Sequence, residues 1–150
     1  MEFCKTCELV TRRDVGEAPF WDSIYRSDHW DVVHNYSTTL PGWLVLVTRR
    51  HIAAIDEMNE AEAAELGPLI QKTSVGLKVA VDCAKTYVIQ FAEKAEHPHV
   101  HFHIIPRMAD MPDERKGPNV FGYKPTEDES AVSDKEKNWI AKIVKAHLMS

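Results

Sequence analysis

No apolar run in this 150-residue chain approaches the roughly 20 residues that a membrane-crossing helix needs. No apolar signal core follows Met1-Glu2-Phe3-Cys4-Lys5 either, so a cytoplasmic protein is expected. Basic charge is scarce: 18 Lys and Arg stand against 23 Asp and Glu, a formal charge of -5 at pH 7. That leaves no general field to neutralise phosphates, which argues against a protein that lives on bulk nucleic acid or on an anionic membrane. Cysteine is limited to three residues, which cannot all pair within one chain and in a reducing compartment read as metal ligands or buried thiols. Internal repeats, low-complexity tracts and interior linkers are missing too. The chain is therefore read as one domain over residues 1–150, with a compact core from about residue 4 to 107 and a looser loop and helix over 108–150. What is present is ordinary, 44% hydrophobic and 27% charged, enough to bury about two-thirds of the unfolded surface. The exception is histidine: eight in all, four of them within the seven residues 97–103.

Patterning predicts an α+β domain with a mostly antiparallel sheet of about five strands. Ser23–Arg26 and Trp30–His34 are β-branched and aromatic runs across a tight Ser27-Asp28 turn. Leu40-Pro41-Gly42 then punctuates, and Trp43–Val47 is a near-continuous apolar strand suited to the middle of a sheet. Asn59 and Glu62 form a capping pair ahead of a long helix whose Leu66, Ile70, Leu77 and Val81 share one face. Gly67-Pro68 is its weak point, where a kink or restart is expected. Thr86–Phe91 and His99–Ile105 read as further strands. Met108 to about Ala131 reads as a surface loop, followed by a helix capped by Ser133 and Glu136 with Trp139, Ile140, Ile143, Val144 and Leu148 at helical spacing.

The informative segment is His97-Pro98-His99-Val100-His101-Phe102-His103-Ile104-Ile105-Pro106-Arg107. Side chains alternate along a strand, so His99, His101 and His103 share one face at ~6.5–7 Å intervals while Val100, Phe102 and Ile104 enter a core. Three imidazoles in a row offer a ligand adjacent groups able to donate, accept or bond covalently. A neutral imidazole is also a competent nucleophile near pH 7 and a workable leaving group from phosphorus. A metal-dependent enzyme using the same histidines as ligands remains an alternative, although no carboxylate ligand lies nearby. Cys4-Lys5-Thr6-Cys7 has the spacing of half a zinc site or of a redox pair. Cys83 reads as a small buried hydrophobe. His29, His34 and His147 read as surface or helix-face residues, and Trp21, Trp30 and Trp43 as core or as walls of a base slot.

The alternating histidines followed by Pro106-Arg107 resemble the signature of the histidine triad (HIT) superfamily of nucleotide hydrolases and transferases. Leu40-Pro41-Gly42 before Trp43–Val47 is similar to that family's Pro-Gly-His strand, with Trp43 in place of the histidine. Arg49-Arg50-His51-Ile52 resembles the basic segment that follows it. The resemblance spans residues 4 to 107 and implies a HIT-like fold and a homodimer using the long helix and a strand edge. It also implies a covalent nucleotidyl intermediate on His101, formed at the α-phosphate of a phosphoramidate or dinucleoside polyphosphate. His99 and a protonated His103 would flank the reaction, with His34, Asn35, Gln90 and Arg107 as substrate contacts. Some family members hold zinc with positions matching Cys4, Cys7, His51 and His99, which implies a structural zinc; no organic cofactor is expected. One departure stands out: Glu93-Lys94-Ala95-Glu96-His97 replaces the Gln- and Ser/Thr-containing stretch that contacts phosphate and leaving group in relatives. Lys94 or His97 would have to supply those donors. That departure leaves a non-catalytic nucleotide-binding module as the other reading.

Overall fold

A computed structural model describes residues 3–126 and 131–150. The chain opens with α1 (Lys5–Asp14), an element the sequence reading omitted. Its N-cap is Cys4, whose Sγ accepts from the Cys7 N–H at 3.3 Å. Ser, Thr, Asp and Asn are the usual caps, so nothing in the sequence flagged this start.

Strands β1 (Tyr25–Arg26), β2 (Trp30–His34), β3 (Leu44–Thr48), β4 (Lys85–Ile89) and β5 (His101–Arg107) form one sheet in the order β1-β2-β3-β5-β4, every neighbour antiparallel. The expected α+β architecture with a five-stranded antiparallel sheet is therefore present. β3 is buried along its whole length in the centre of the sheet, as its unbroken apolar run requires. Pro106 sits inside β5, beyond the expected strand end, and pairs with Thr86. The β3 ladder stops at Ile104, so that stretch of β5 has a neighbour on one side only, where proline is tolerated.

Alternation sends the two faces of the sheet into separate cores. Trp30, Val32, Leu44, Leu46, Phe102 and Ile104 meet α2 (Glu60–Val81) and α3 (Asp134–Leu148). Val33, Val45, Val47 and Ile105 meet Val10 of α1 together with Met111 and Val120. The segment after residue 108 is thus not a free surface loop. It makes two short 3₁₀ turns, Asp113–Arg115 and Gly117–Gly122, and its buried Met111 and Val120 close the second core. Scattered apolar residues without a period left no sign of this in the sequence.

α2 runs unbroken through Pro68 rather than restarting. Gly67 and Pro68 are exposed, so the carbonyl that proline leaves unpaired faces water. Its buried positions also include Leu69, Thr73 and Gly76, a second stripe that α3 covers. At Gly76 a Cβ would lie 3.1 Å from the Val144 Cα. On α3, Trp139 is 57% exposed and falls outside the packed stripe of Ile140, Ala141, Val144 and Leu148.

Gly42 ends the β2–β3 connection with φ +92°, and a Cβ there would meet Leu77, Val81 and Pro106 at 3.0–3.3 Å. Gly42→Ala combines left-handed strain with overpacking and is expected to destabilise by about 2–3 kcal/mol. Thermal unfolding should show Tm lower by roughly 5–10 °C.

Candidate active site and metal centre

Two histidine clusters lie side by side, divided by the backbone just before β5. His99 precedes the strand rather than joining its row: Val100 N donates to Ile52 O and Val100 O accepts from Thr48 N, which pulls this stretch off the regular ladder. His99 is fully buried and turned to the cysteines, instead of sharing a face with His101 and His103 as strict alternation predicts.

Its Nε2–H donates to the Thr48 carbonyl at 2.7 Å, which leaves the Nδ1 lone pair free. That Nδ1 lies 3.6 Å from Cys4 Sγ, 3.5 Å from Cys7 Sγ and 3.2 Å from His51 Nδ1, while Cys7 Sγ and His51 Nδ1 are 3.2 Å apart. The four donor atoms all fall within 4.8 Å of one another. A tetrahedral zinc with Zn–S near 2.3 Å and Zn–N near 2.05 Å requires ligand separations of about 3.3–3.8 Å, close to the 3.2–3.6 Å of the four separations above. Burial holds His99 down at about 4, so it is neutral and fit to ligate. Burial, then the Cys4 sulfur, pushes Cys7 up to about 11, an order that a divalent cation would reverse.

The second cluster lines a 330 Å³ cavity between α1 and the sheet. His101 and His103 lie on its wall with Val33, Val45 and Val47, and their rings meet edge-on at 5.0 Å. The His101 Nδ1–H donates to the His99 carbonyl at 2.7 Å, so Nε2 carries the lone pair. Burial lowers His101 below the ordinary histidine value and keeps it neutral. His103 accepts at Nδ1 from the Trp43 indole N–H, 2.9 Å away, so its proton is on Nε2. Burial, then the neighbouring His101, lowers His103 to about 3, so it is a neutral donor and not the protonated one expected. Trp43 is itself buried and braced by Phe121 at 5.5 Å between ring centroids.

Trp43→Phe should keep the wall and remove the tautomer lock. Loss of a hydrogen bond of about 1 kcal/mol redistributes the His103 tautomers by roughly fivefold. ¹⁵N NMR of His103 should then show the Nδ1–H tautomer populated beside the Nε2–H form, where the wild-type chain shows the Nε2–H form alone.

His97 joins this cavity, with Nδ1 2.7 Å from Thr6 Oγ1 and Nε2 3.0 Å from the Tyr36 hydroxyl. Lys94 lies on the same lining, so both residues suggested as replacement donors are at the site. Asn35 lines the cavity and also holds a turn, its Oδ1 accepting from Ser37 N–H at 2.8 Å. His34 is on the wall but fully buried, contrary to a surface placement. It donates to Asn35 O and accepts from Gly42 N–H, and burial lowers it to about 4. Gln90 lies just past β4 with a buried, unpartnered Nε2, and Arg107 donates to Met108 O; neither lines the cavity. Thr6, Leu9, Arg13, Asp22, Phe121 and Lys124 are on the lining too, as are Ser37, Phe91, Ala92 and Glu93. Sequence alone did not single out Thr6, Leu9, Arg13, Asp22, Phe121 or Lys124, which lie far along the chain from the histidines.

The family model described as HIT domain matches residues 21–110. No curated protein matches the chain in sequence. Among solved structures, a histidine triad nucleotide-binding protein of Sulfolobus tokodaii superposes with TM-score 0.69 at 18% identity, covering 95% of this chain and 92% of its own. A HIT-like protein of Bartonella henselae involved in cell-cycle regulation gives 0.67 at 19%, with 91% and 92% covered. A zinc-bound histidine triad family protein of Mycobacterium smegmatis gives 0.66 at 15%, with 97% and 93% covered. At these identities the likeness is one of fold.

Proposed function

The chain belongs to the HIT domain family, and from that premise we propose that it binds nucleotides and hydrolyses or transfers them at the α-phosphate through His101. The observation that carries this reading is the orientation of His101: Nδ1 is fixed on the His99 carbonyl and the ring is neutral on the wall of the cavity. In the proposed first step the Nε2 lone pair attacks the α-phosphorus and the P–N or P–O bond to the leaving group breaks. The positive charge gained by the ring is stabilised by the His99 carbonyl at Nδ1–H. His103 Nε2–H donates to a non-bridging oxygen. His97, in its protonated form between the Thr6 and Tyr36 hydroxyls, gives one proton to the departing amine or phosphate and becomes neutral. Water then attacks the same phosphorus, gives its proton to the neutral His97, releases a nucleoside 5′-monophosphate and returns the electron pair to His101.

Cys4, Cys7, His51 and His99 would hold one zinc with no open position, and bound there it would supply a cross-link and no chemistry. Because His99 also holds His101 through its carbonyl, that cross-link would steady the nucleophile. A reducing cytoplasm suits the chain, since it keeps Cys83 a thiol and leaves Cys4 and Cys7 available to the metal. We place the homodimer contact on the open edge of β4 and on Val75 and Val79, exposed one turn apart on α2. No helix among the described residues is long and apolar enough to cross a membrane.

Steady-state assays with purine nucleoside 5′-phosphoramidates and dinucleoside polyphosphates test the reading. Release of the 5′-monophosphate is expected. A chain that binds these compounds and cleaves none is the non-catalytic module instead.

A further inference from the structure

We infer that Asp22 makes the far end of the cavity selective for guanine, an inference that rests on the nucleotide reading above. The strand register gives the distance. His101 pairs with Val47, and Val47 with Asp31, so Asp31 lies two strands, about 10 Å, across the sheet from the nucleophile. Between them the cavity floor is Val33, Val45 and Val47, with Leu9 of α1 also on the lining. This is an apolar slot of about one nucleoside's reach.

At the Asp31 end stands a buried ionic network. Arg13 donates through Nε to Asp22 O, through one terminal nitrogen to Asp22 Oδ1 at 2.9 Å and through the other to Asp31 Oδ2 at 3.3 Å. Arg26 holds Asp31 from the opposite side. Arg13 and Asp22 both line the cavity, and their side chains are 3% and 4% exposed. One atom in this network lacks a partner: Asp22 Oδ2, buried and without a hydrogen bond. A carboxylate oxygen in that position is costly to leave unsatisfied and calls for an N–H or O–H from whatever fills the slot.

The ligand edge that best suits a carboxylate is guanine's, where N1–H and the 2-amino group stand side by side as donors. Hypoxanthine keeps N1–H alone. Adenine presents the N1 lone pair to the carboxylate, a repulsive contact that lowers its affinity. Three of the five Arg13 N–H groups are engaged in the network, and those left can meet the guanine O6 acceptor.

Isothermal titration of the wild-type chain with GMP, IMP and AMP tests this without requiring turnover. GMP is expected to bind about 10- to 100-fold tighter than AMP, with IMP between. Asp22→Asn keeps an acceptor for Arg13 and should narrow the GMP/AMP ratio to within about threefold. Equal binding of the three nucleotides, or tighter AMP binding, overturns the guanine inference and leaves the nucleotide reading standing. No binding of any of them overturns both. An unchanged GMP/AMP ratio in Asp22→Asn overturns the role of Asp22, and should that variant fail to fold, Asp22→Glu, which keeps the charge and moves the oxygens, is expected to narrow the ratio in the same way.

Discussion

His101→Asn should reduce kcat/KM for a nucleoside phosphoramidate by about 10⁴-fold or more, while affinity for the product monophosphate changes little. Asparagine occupies a similar volume and can still donate to the His99 carbonyl, so the cavity wall and the β5 ladder persist. It has no lone pair basic enough to attack phosphorus, and removal of a covalent nucleophile costs several orders of magnitude because the remaining groups act only in concert with it. The contrast between lost turnover and retained binding is the informative part. Parallel loss of both would indicate a collapsed site, and undiminished turnover would move the nucleophile elsewhere. The rival in which the histidine strand binds a catalytic metal predicts a different pattern, with His99, His101 and His103 equally sensitive. His99 is drawn off to the cysteines, and His101 and His103 each have one nitrogen committed to a protein partner.

The second large effect concerns the metal centre. The chain should bind one equivalent of zinc with an S₂N₂ donor set and release protons as it does so. The four ligands tie the start of α1, the segment after β3 and the approach to β5 at one point, contacts that exist only in the folded chain. At a free zinc concentration a thousandfold above Kd, binding contributes about 4 kcal/mol. For a chain of this length that is roughly 8–16 °C in Tm. Removal with a strong chelator should therefore lower Tm by that amount, and Cys4→Ala should do the same with zinc present. Turnover should outlast chelation until the fold loosens, since His101 and His103 hold no metal in this arrangement. Immediate loss of activity with Tm unchanged would show a catalytic metal instead.

Periodicity and turn chemistry made much of this fold legible. β2 stands over the expected residues, α2 begins at the expected Asn59–Glu62 box, and Val100, Phe102 and Ile104 enter the core opposite the cavity. The exceptions share a cause, since each is decided by contacts distant in sequence. α1 is capped by a cysteine sulfur, residues 108–123 fold because Met111 and Val120 find a sheet face to cover, and Pro68 is tolerated because its side of α2 is solvated. The site divides in the same way. The alternating histidines identified its chemistry, whereas the separation of His99 from His101 depends on a backbone bond to Ile52 that no local pattern encodes. The neutral state of His103 could not be read either, because it follows from burial and the adjacent His101, and its tautomer follows from an indole 60 residues away.

The most direct measurement is rapid-quench mass spectrometry of the wild-type chain mixed with a guanosine phosphoramidate, followed by peptide mapping under conditions that preserve P–N bonds. A guanylyl adduct on His101, forming at least as fast as kcat and absent from His101→Asn, is the expected result. Steady product release with no adduct on His101 at any quench time, or an adduct on another residue, would contradict it.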